Sequence, residues 1–139
     1  MPTINSFEEI EAWTRARRLA NELHRIFLKD SAKNDFGLKN QVSRSIGSVM
    51  DNIAEGFERG GNKEFIQFLF IAKGSAGETR SQLFRMLDRN YISKEEFESL
   101  LAELSFTSKL IMNFIKYLKN TDLKGSKYHE PESSYGGQL

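Results

Sequence analysis

Residues 62–87 read NKEFIQFLFIAKGSAGETRSQLFRML. Within them Phe65, Phe68, Leu69, Ala72, Ala76, Leu83, Met86 and Leu87 form an apolar set that steps largely by threes and fours, the spacing that puts side chains on one face of a helix. No proline interrupts the run, and Asn62 stands where a helix N-cap is expected. Strand-like alternation does not compete with this pattern.

The pattern repeats on both sides. Upstream, Leu38, Val42, Ile46, Val49, Ile53 and Phe57 make a second stripe that ends at Gly60-Gly61. Before it, Phe7, Ile10, Trp13, Ala16, Leu19, Ala20, Leu23, Ile26 and Phe27 read as one amphipathic helix, with Ser6 and Glu9 at capping-box spacing. Asn34, Asp35 and Gly37 separate the two. Downstream, Asn90-Tyr91-Ile92 turns the chain, and Ser93 with Glu96 repeats the capping box. A fourth stripe follows: Phe97, Leu100, Leu101, Leu104, Ile111, Ile115 and Leu118. The prolines are Pro2 and Pro131, so nothing breaks the helices between them. Four long helices with short connections predict an all-α protein, an antiparallel up-and-down four-helix bundle over residues 1–120. Residues 121–139, with Gly125, Pro131, Ser133, Ser134, Gly136 and Gly137, read as a flexible polar tail.

A chain of 139 residues, 39% hydrophobic and 28% charged, suits a single domain with a real core. Lys and Arg number 20 against 19 Asp and Glu, so any basic surface must be local. The absence of cysteine removes disulfides, thiolate metal sites and a Cys nucleophile. His24 and His129 have no partners at metal-ligand spacing, so neither a metal nor a cofactor is expected. The first 30 residues carry too many charges for a signal peptide, and no window approaches a membrane span, which favours a cytoplasmic protein.

On a helical wheel, Ile66, Phe70 and Phe84 fall away from the core stripe of the third helix, on the side of Gly77. Phe106, Leu110 and Tyr117 do the same on the fourth. These six are the candidate oligomer interface, since contiguous exposed apolar patches usually mark association. A thicker core is the alternative. The second helix carries a polar stripe of Gln41, Arg44, Ser45, Ser48, Asn52, Glu55 and Arg59, and the third a shorter one of Ser75, Glu78 and Gln82. Arg44, Ser48, Asn52, Glu55, Arg59, Ser75 and Glu78 are therefore expected in a hydrogen-bonded network that fixes helix register, with Gly74 and Gly77 allowing close backbone approach. An acid/base site on Glu55, Glu78, Arg44 and Asn52 is the catalytic alternative, without a nucleophile, metal cluster or phosphate-binding loop to accompany it. Arg15, Arg18, Arg80 and Arg85 are the candidate phosphate contacts of a nucleic-acid surface, although acid-to-base order along the helices also suits their dipoles.

Phe36-Gly37-Leu38, Gln41, Arg44, Ser45, Ser48, the segment Asn52-Ile53-Ala54-Glu55-Gly56 and Arg59 resemble the four-helix-bundle proteins encoded within intervening sequences of bacterial 23S ribosomal RNA genes. Lys63-Glu64-Phe65, Phe68-Leu69, Ala72, Gly74-Ser75 and Glu78 extend the resemblance, as do Phe7, Trp13 and Ala16. The resemblance implies a homo-oligomeric bundle, commonly a pentameric ring, without established enzymatic activity. Related bundle proteins serve diversity-generating retroelements, where a basic ring surface binds a reverse transcriptase and nucleic acid. The expectation is thus a non-enzymatic oligomeric adaptor whose candidate partners are its own copies, RNA or DNA, or another protein. The alternative is a purely structural scaffold that binds no nucleic acid.

Overall fold

A computed structural model describes residues 3–121 and the backbone of residues 128–129. Its helices are α1 (Glu11–Ile26), α2 (Phe36–Glu58), α3 (Asn62–Asp88) and α4 (Lys94–Lys119). Two short strands, β1 (Thr3–Ile4) and β2 (Tyr128–His129), pair antiparallel, with Thr3 opposite His129 and Ile4 opposite Tyr128. A strand of two residues is too short to leave an alternation in sequence. The remainder of the expected tail, residues 122–127 and 130–139, lies outside the described residues.

Side-chain contacts show the helix directions. Phe84, late in α3, packs edge-on against Phe97, early in α4, at 4.8 Å; Phe65, early in α3, meets Phe114, late in α4, at 5.3 Å. Ser45, early in α2, bonds Thr79 and Gln82, late in α3, while Gly56, late in α2, lies against Phe65 and Phe68. Arg15 of α1 pairs with Glu103 of α4, and Lys29, just beyond α1, with Glu96 at the start of α4. Successive helices therefore run antiparallel, and α1 packs on both α2 and α4, closing the bundle. The α1/α2 side faces away from the α3/α4 side.

The apolar stripes meet along the axis, where Ala16, Val49, Ile53, Phe65, Ala72, Ala76, Leu83, Leu104, Ile111 and Ile115 are all fully buried. Each large side chain there contributes about 1.5–3 kcal/mol by leaving water. Helix ends follow local chemistry. Ser93 and Glu96 form a complete capping box on α4. Asp35 caps α2 by accepting the Leu38 N–H at 3.2 Å. After α3, Asn90 takes φ 61°, and the Tyr91 and Asn90 N–H groups reach back to the Met86 and Leu87 carbonyls, a Schellman ending. Gly60, with φ 84°, makes the left-handed step after α2 that its lack of a Cβ permits.

Two predicted starts differ. The first helix opens as a 3₁₀ turn over Phe7–Glu9, and Ile10 breaks it with an extended backbone (ψ 123°) before α1 begins. This break buries Ile10 while Phe7 turns edge-on to Trp13 at 5.2 Å. Ser6 makes no side-chain cap; the Glu9 carboxylate instead accepts the Asn5 N–H at 3.0 Å. At α3 the N-cap is Gly61, because the Asn62 amide is used elsewhere, donating to the carbonyls of Leu118 and Thr121 and tying α3 to the end of α4.

Candidate functional site

The polar residues of α2 and α3 meet in one seam. The Ser45 hydroxyl lies 2.6 Å from Gln82 Oε1 and 2.7 Å from Thr79 Oγ1. A hydroxyl has one proton: Ser45 gives its own to Gln82, and Thr79 Oγ1, placed between Ser45 Oγ and the Ser75 carbonyl 3.0 Å away, has one proton to serve both acceptors. One turn along, Ser48 and Ser75 hydroxyls bond at 2.8 Å, and the Asn52 amide donates to the Ser48 carbonyl and hydroxyl. Glu78 accepts from the Gln82 amide at 3.4 Å. Glu55 pairs with Arg59 at 2.8 Å on the exposed side of α2, and Arg59 also reaches Glu64. Ser48, Asn52 and Ser75 thus come together, and Glu55 with Arg59 forms a separate surface pair. Arg44 stays outside: it is exposed, and its side chain makes no hydrogen bond or ion pair among the described residues. Thr79, absent from the sequence reading, occupies the buried centre with Ser45 and Gln82; its wheel position inside the apolar stripe, between Phe68 and Ala72, was the available signal. Asn52, Glu55 and Glu78 each bond within their own helix, which does not assemble the acid/base site considered as the catalytic alternative.

The seam depends on close approach at Gly56 rather than at Gly74 or Gly77. A Cβ on Gly56 would stand 2.7 Å from Phe68 Cβ and 2.9 Å from Phe65 Cδ1. Cβ atoms on Gly74 and Gly77 would meet nothing within 4 Å, which corrects the expectation that they seat a neighbouring helix of the same chain.

The four candidate phosphate-binding arginines do not form one surface on a single chain. Arg15 bonds Glu11 at 2.9 Å and Glu103 at 3.0 Å, and its guanidinium lies over the Phe106 ring at 4.4 Å. Glu103 and Phe106 hold it towards α4, while Glu11 braces it from within α1. Arg85 points to the opposite side, donating to Gln41 Oε1 on α2 at 2.7 Å. Arg18 and Arg80 are exposed and make no ion pair among the described residues.

The apolar candidates also divide. Phe70 and Phe84 are 43% and 50% exposed, Phe84 beside Phe97 and Phe70 under the Lys119 ammonium at 5.2 Å. Ile66 is half-buried on the same stripe. Helical geometry puts Gly77 between the two phenylalanines, and Leu101 and Met112 of α4, both half-buried, on the flank that faces them. Phe106, Leu110 and Tyr117 occupy the other flank of α4. Leu110 is only 8% exposed and belongs to the core of the single chain. Phe106 is covered by Arg15; Tyr117 packs edge-on to Phe114, and burial pushes its phenol pKa up. These three are therefore not a free face continuous with Phe70 and Phe84. Sequence reasoning missed Ile71, 52% exposed near the polar seam, and Leu28, exposed past the end of α1.

At the loop end, Asp35 accepts from Arg89 at 2.5 Å and from the Tyr91 phenol at 2.7 Å, joining the α1–α2 and α3–α4 connections. The Tyr91 hydrogen bond, the Leu38 N–H and Arg89 together hold its carboxyl below the usual carboxylate range. The shift has a structural cause, the Tyr91 phenol that ties the two connections together first and the capping of α2 second. No group of three or more potential metal ligands is clustered among the described residues, and no helix there is long and apolar enough to cross a membrane.

Residues 8–113 match the model of the family described as 23S rRNA-intervening sequence protein. A crystal structure of a protein of unknown function from the S23 ribosomal protein family of Bacteroides thetaiotaomicron VPI-5482 is 25% identical, with a TM-score of 0.68 over 76% of this chain and 98% of that one. No curated protein matches the chain.

Proposed function

We propose that this chain, which belongs to the 23S rRNA-intervening sequence protein family, is a non-enzymatic adaptor that acts as a homo-oligomer, with α3 as the contact between copies. One observation carries the reading: Phe70 and Phe84 stand exposed on either side of Gly77, whose missing side chain opens onto empty space. A glycine inside a helix costs about 1 kcal/mol against alanine. Gly56 recovers that cost inside the chain, where α3 packs against it. Gly77, and Gly74 beside it, find no such neighbour, and a second copy of the bundle closing on α3 supplies one. The exposed aromatics then bury against the same copy, as large apolar patches on soluble proteins tend to do. Repetition of one such contact builds a closed ring when its rotation closes; five copies is the size the family resemblance implies.

In the same proposal, exposed Arg18 and Arg80, repeated around the ring, contact RNA or DNA phosphates. Oligomer mass comes first as a test. Light scattering should report a multiple of the 16.0 kDa chain mass, and Phe70→Glu or Phe84→Glu should return the monomer with its helicity retained. A monomeric parent protein contradicts the proposal. RNA binding should fall steeply as salt rises from about 50 to about 200 mM, and Arg18→Ala with Arg80→Ala should remove most of it. Arg15 and Arg85, held by partners on opposite sides of the bundle, favour a second reading: a protein-only scaffold. Intact oligomers that bind no nucleic acid at low salt select it.

A further inference from the structure

The α1/α2 side of the bundle holds a cavity of about 210 Å³. Its floor is Leu23, Phe27, Val42 and Ile46, all almost completely buried. Around the opening stand His24, Lys39, Ser43 and Gly47. No acidic residue lines it. Lys39 is half-buried and makes no ion pair or side-chain hydrogen bond among the described residues, whereas Lys29, Lys33, Arg15, Arg59 and Arg89 each have a carboxylate partner.

Gly47 is the second observation. It lies in the middle of α2, where glycine is unfavourable relative to alanine, with no turn and no close neighbour to require it. A Cβ there would meet nothing within 4 Å. A longer side chain at that position would stand in the opening, so glycine keeps the cavity accessible. The larger cavity between α1 and α4, about 480 Å³, lacks this character. Glu95 and Glu96 of α4 face Arg25 and Lys29 across it, Glu22 adds a third carboxylate from α1, and Lys29 is already bound to Glu96 at 3.3 Å.

We propose that the α1/α2 cavity binds a small amphipathic monocarboxylate. Its hydrocarbon chain lies on Leu23, Phe27, Val42 and Ile46, and its carboxylate sits at the opening against Lys39, with His24 and Ser43 as hydrogen-bonding neighbours. The chemistry follows from what the cavity lacks: its apolar floor has no partner for a polar body, and its unpaired cation has no anion. Size narrows the class. At about 210 Å³ the cavity is below the ~300 Å³ where drug-sized sites begin, so it takes on the order of ten non-hydrogen atoms. A saturated eight-carbon carboxylate has that size. The contact proposed between copies uses α3, so octanoate binding and oligomer mass are read separately and either can fail without the other.

Octanoate titrated into the full chain should produce saturable NMR shifts at Gly47, Ser43 and Leu23, with a Kd on the order of 0.1–1 mM, as suits so few atoms. Octylamine, with the same hydrocarbon and the opposite charge, should bind about tenfold more weakly or not at all. Gly47→Met should abolish binding while circular dichroism and Tm match or exceed those of the parent, because the added side chain enters empty space. Lys39→Gln should weaken octanoate several-fold and leave octanol unaffected. Absence of saturable shifts up to about 5 mM octanoate overturns the proposal. So does unchanged octanoate binding by the folded Gly47→Met variant, or octylamine binding as tight as octanoate.

Discussion

Three glycines of α2 and α3 show how one residue type takes different meanings from its surroundings. Gly56 is pressed between α2 and the Phe65 and Phe68 side chains, so Gly56→Ala must push backbone or aromatic rings aside. The expected loss is about 1–3 kcal/mol, read from urea melts. Gly77→Ala adds a methyl group to open space, and in a dissociated monomer it should gain about 1 kcal/mol from helix propensity alone. Opposite signs at two helix-interior glycines are the test; equal losses contradict the packing described here. The Asn52–Gly56 segment is distinctive in sequence, but its glycine cannot be told from Gly74 or Gly77 without knowing which face meets a neighbour. Ser45 makes a similar point. Ser45→Ala leaves Gln82 and Thr79 buried with a lost partner and should cost about 1–3 kcal/mol by the same melts. The polar stripe around Ser45 is visible at helical spacing, whereas Thr79 falls within the apolar stripe and reads as one more core position until α2 is placed against it.

Among the elements, the helices are legible because their apolar periodicity and caps agree, as at Ser93 and Glu96. Their ends are less so. Ile10 breaks the first helix in order to bury itself, a tertiary effect that local capping residues do not encode. Asn62 has the composition of a cap and serves as a clamp to α4. The Asp35 cap carries a pH dependence. Its carboxyl is held below its unfolded value by Tyr91, the Leu38 N–H and Arg89. The stabilisation is therefore complete above the unfolded carboxylate pKa and is lost as pH falls through the lower, folded one. Asp35→Asn should lower the urea midpoint at neutral pH, and its deficit against the parent should shrink on acidification below about pH 4. A deficit independent of pH contradicts the charged cap.

At the scale of the whole molecule, the four-stripe pattern predicts a helical bundle, and the structure supplies the direction of each helix. Surface organisation was harder to foresee. A wheel drawn for one helix puts Phe106, Leu110 and Tyr117 opposite the core stripe, yet the neighbouring α1 brings Arg15 over Phe106, and Leu110 enters the core. Charges behave likewise: Arg15 and Arg85 look equivalent in sequence and face opposite sides of the bundle. Among the wheel-assigned apolar candidates, Phe70 and Phe84 stay exposed on either side of Gly77, and the proposed assembly rests on that α3 stripe. The direct test is the solution mass of the unmodified chain and of Phe84→Glu by size-exclusion chromatography with light scattering. The account predicts an oligomer for the first and a helical monomer for the second. A monomeric parent, or an oligomer unchanged by Phe84→Glu, contradicts it.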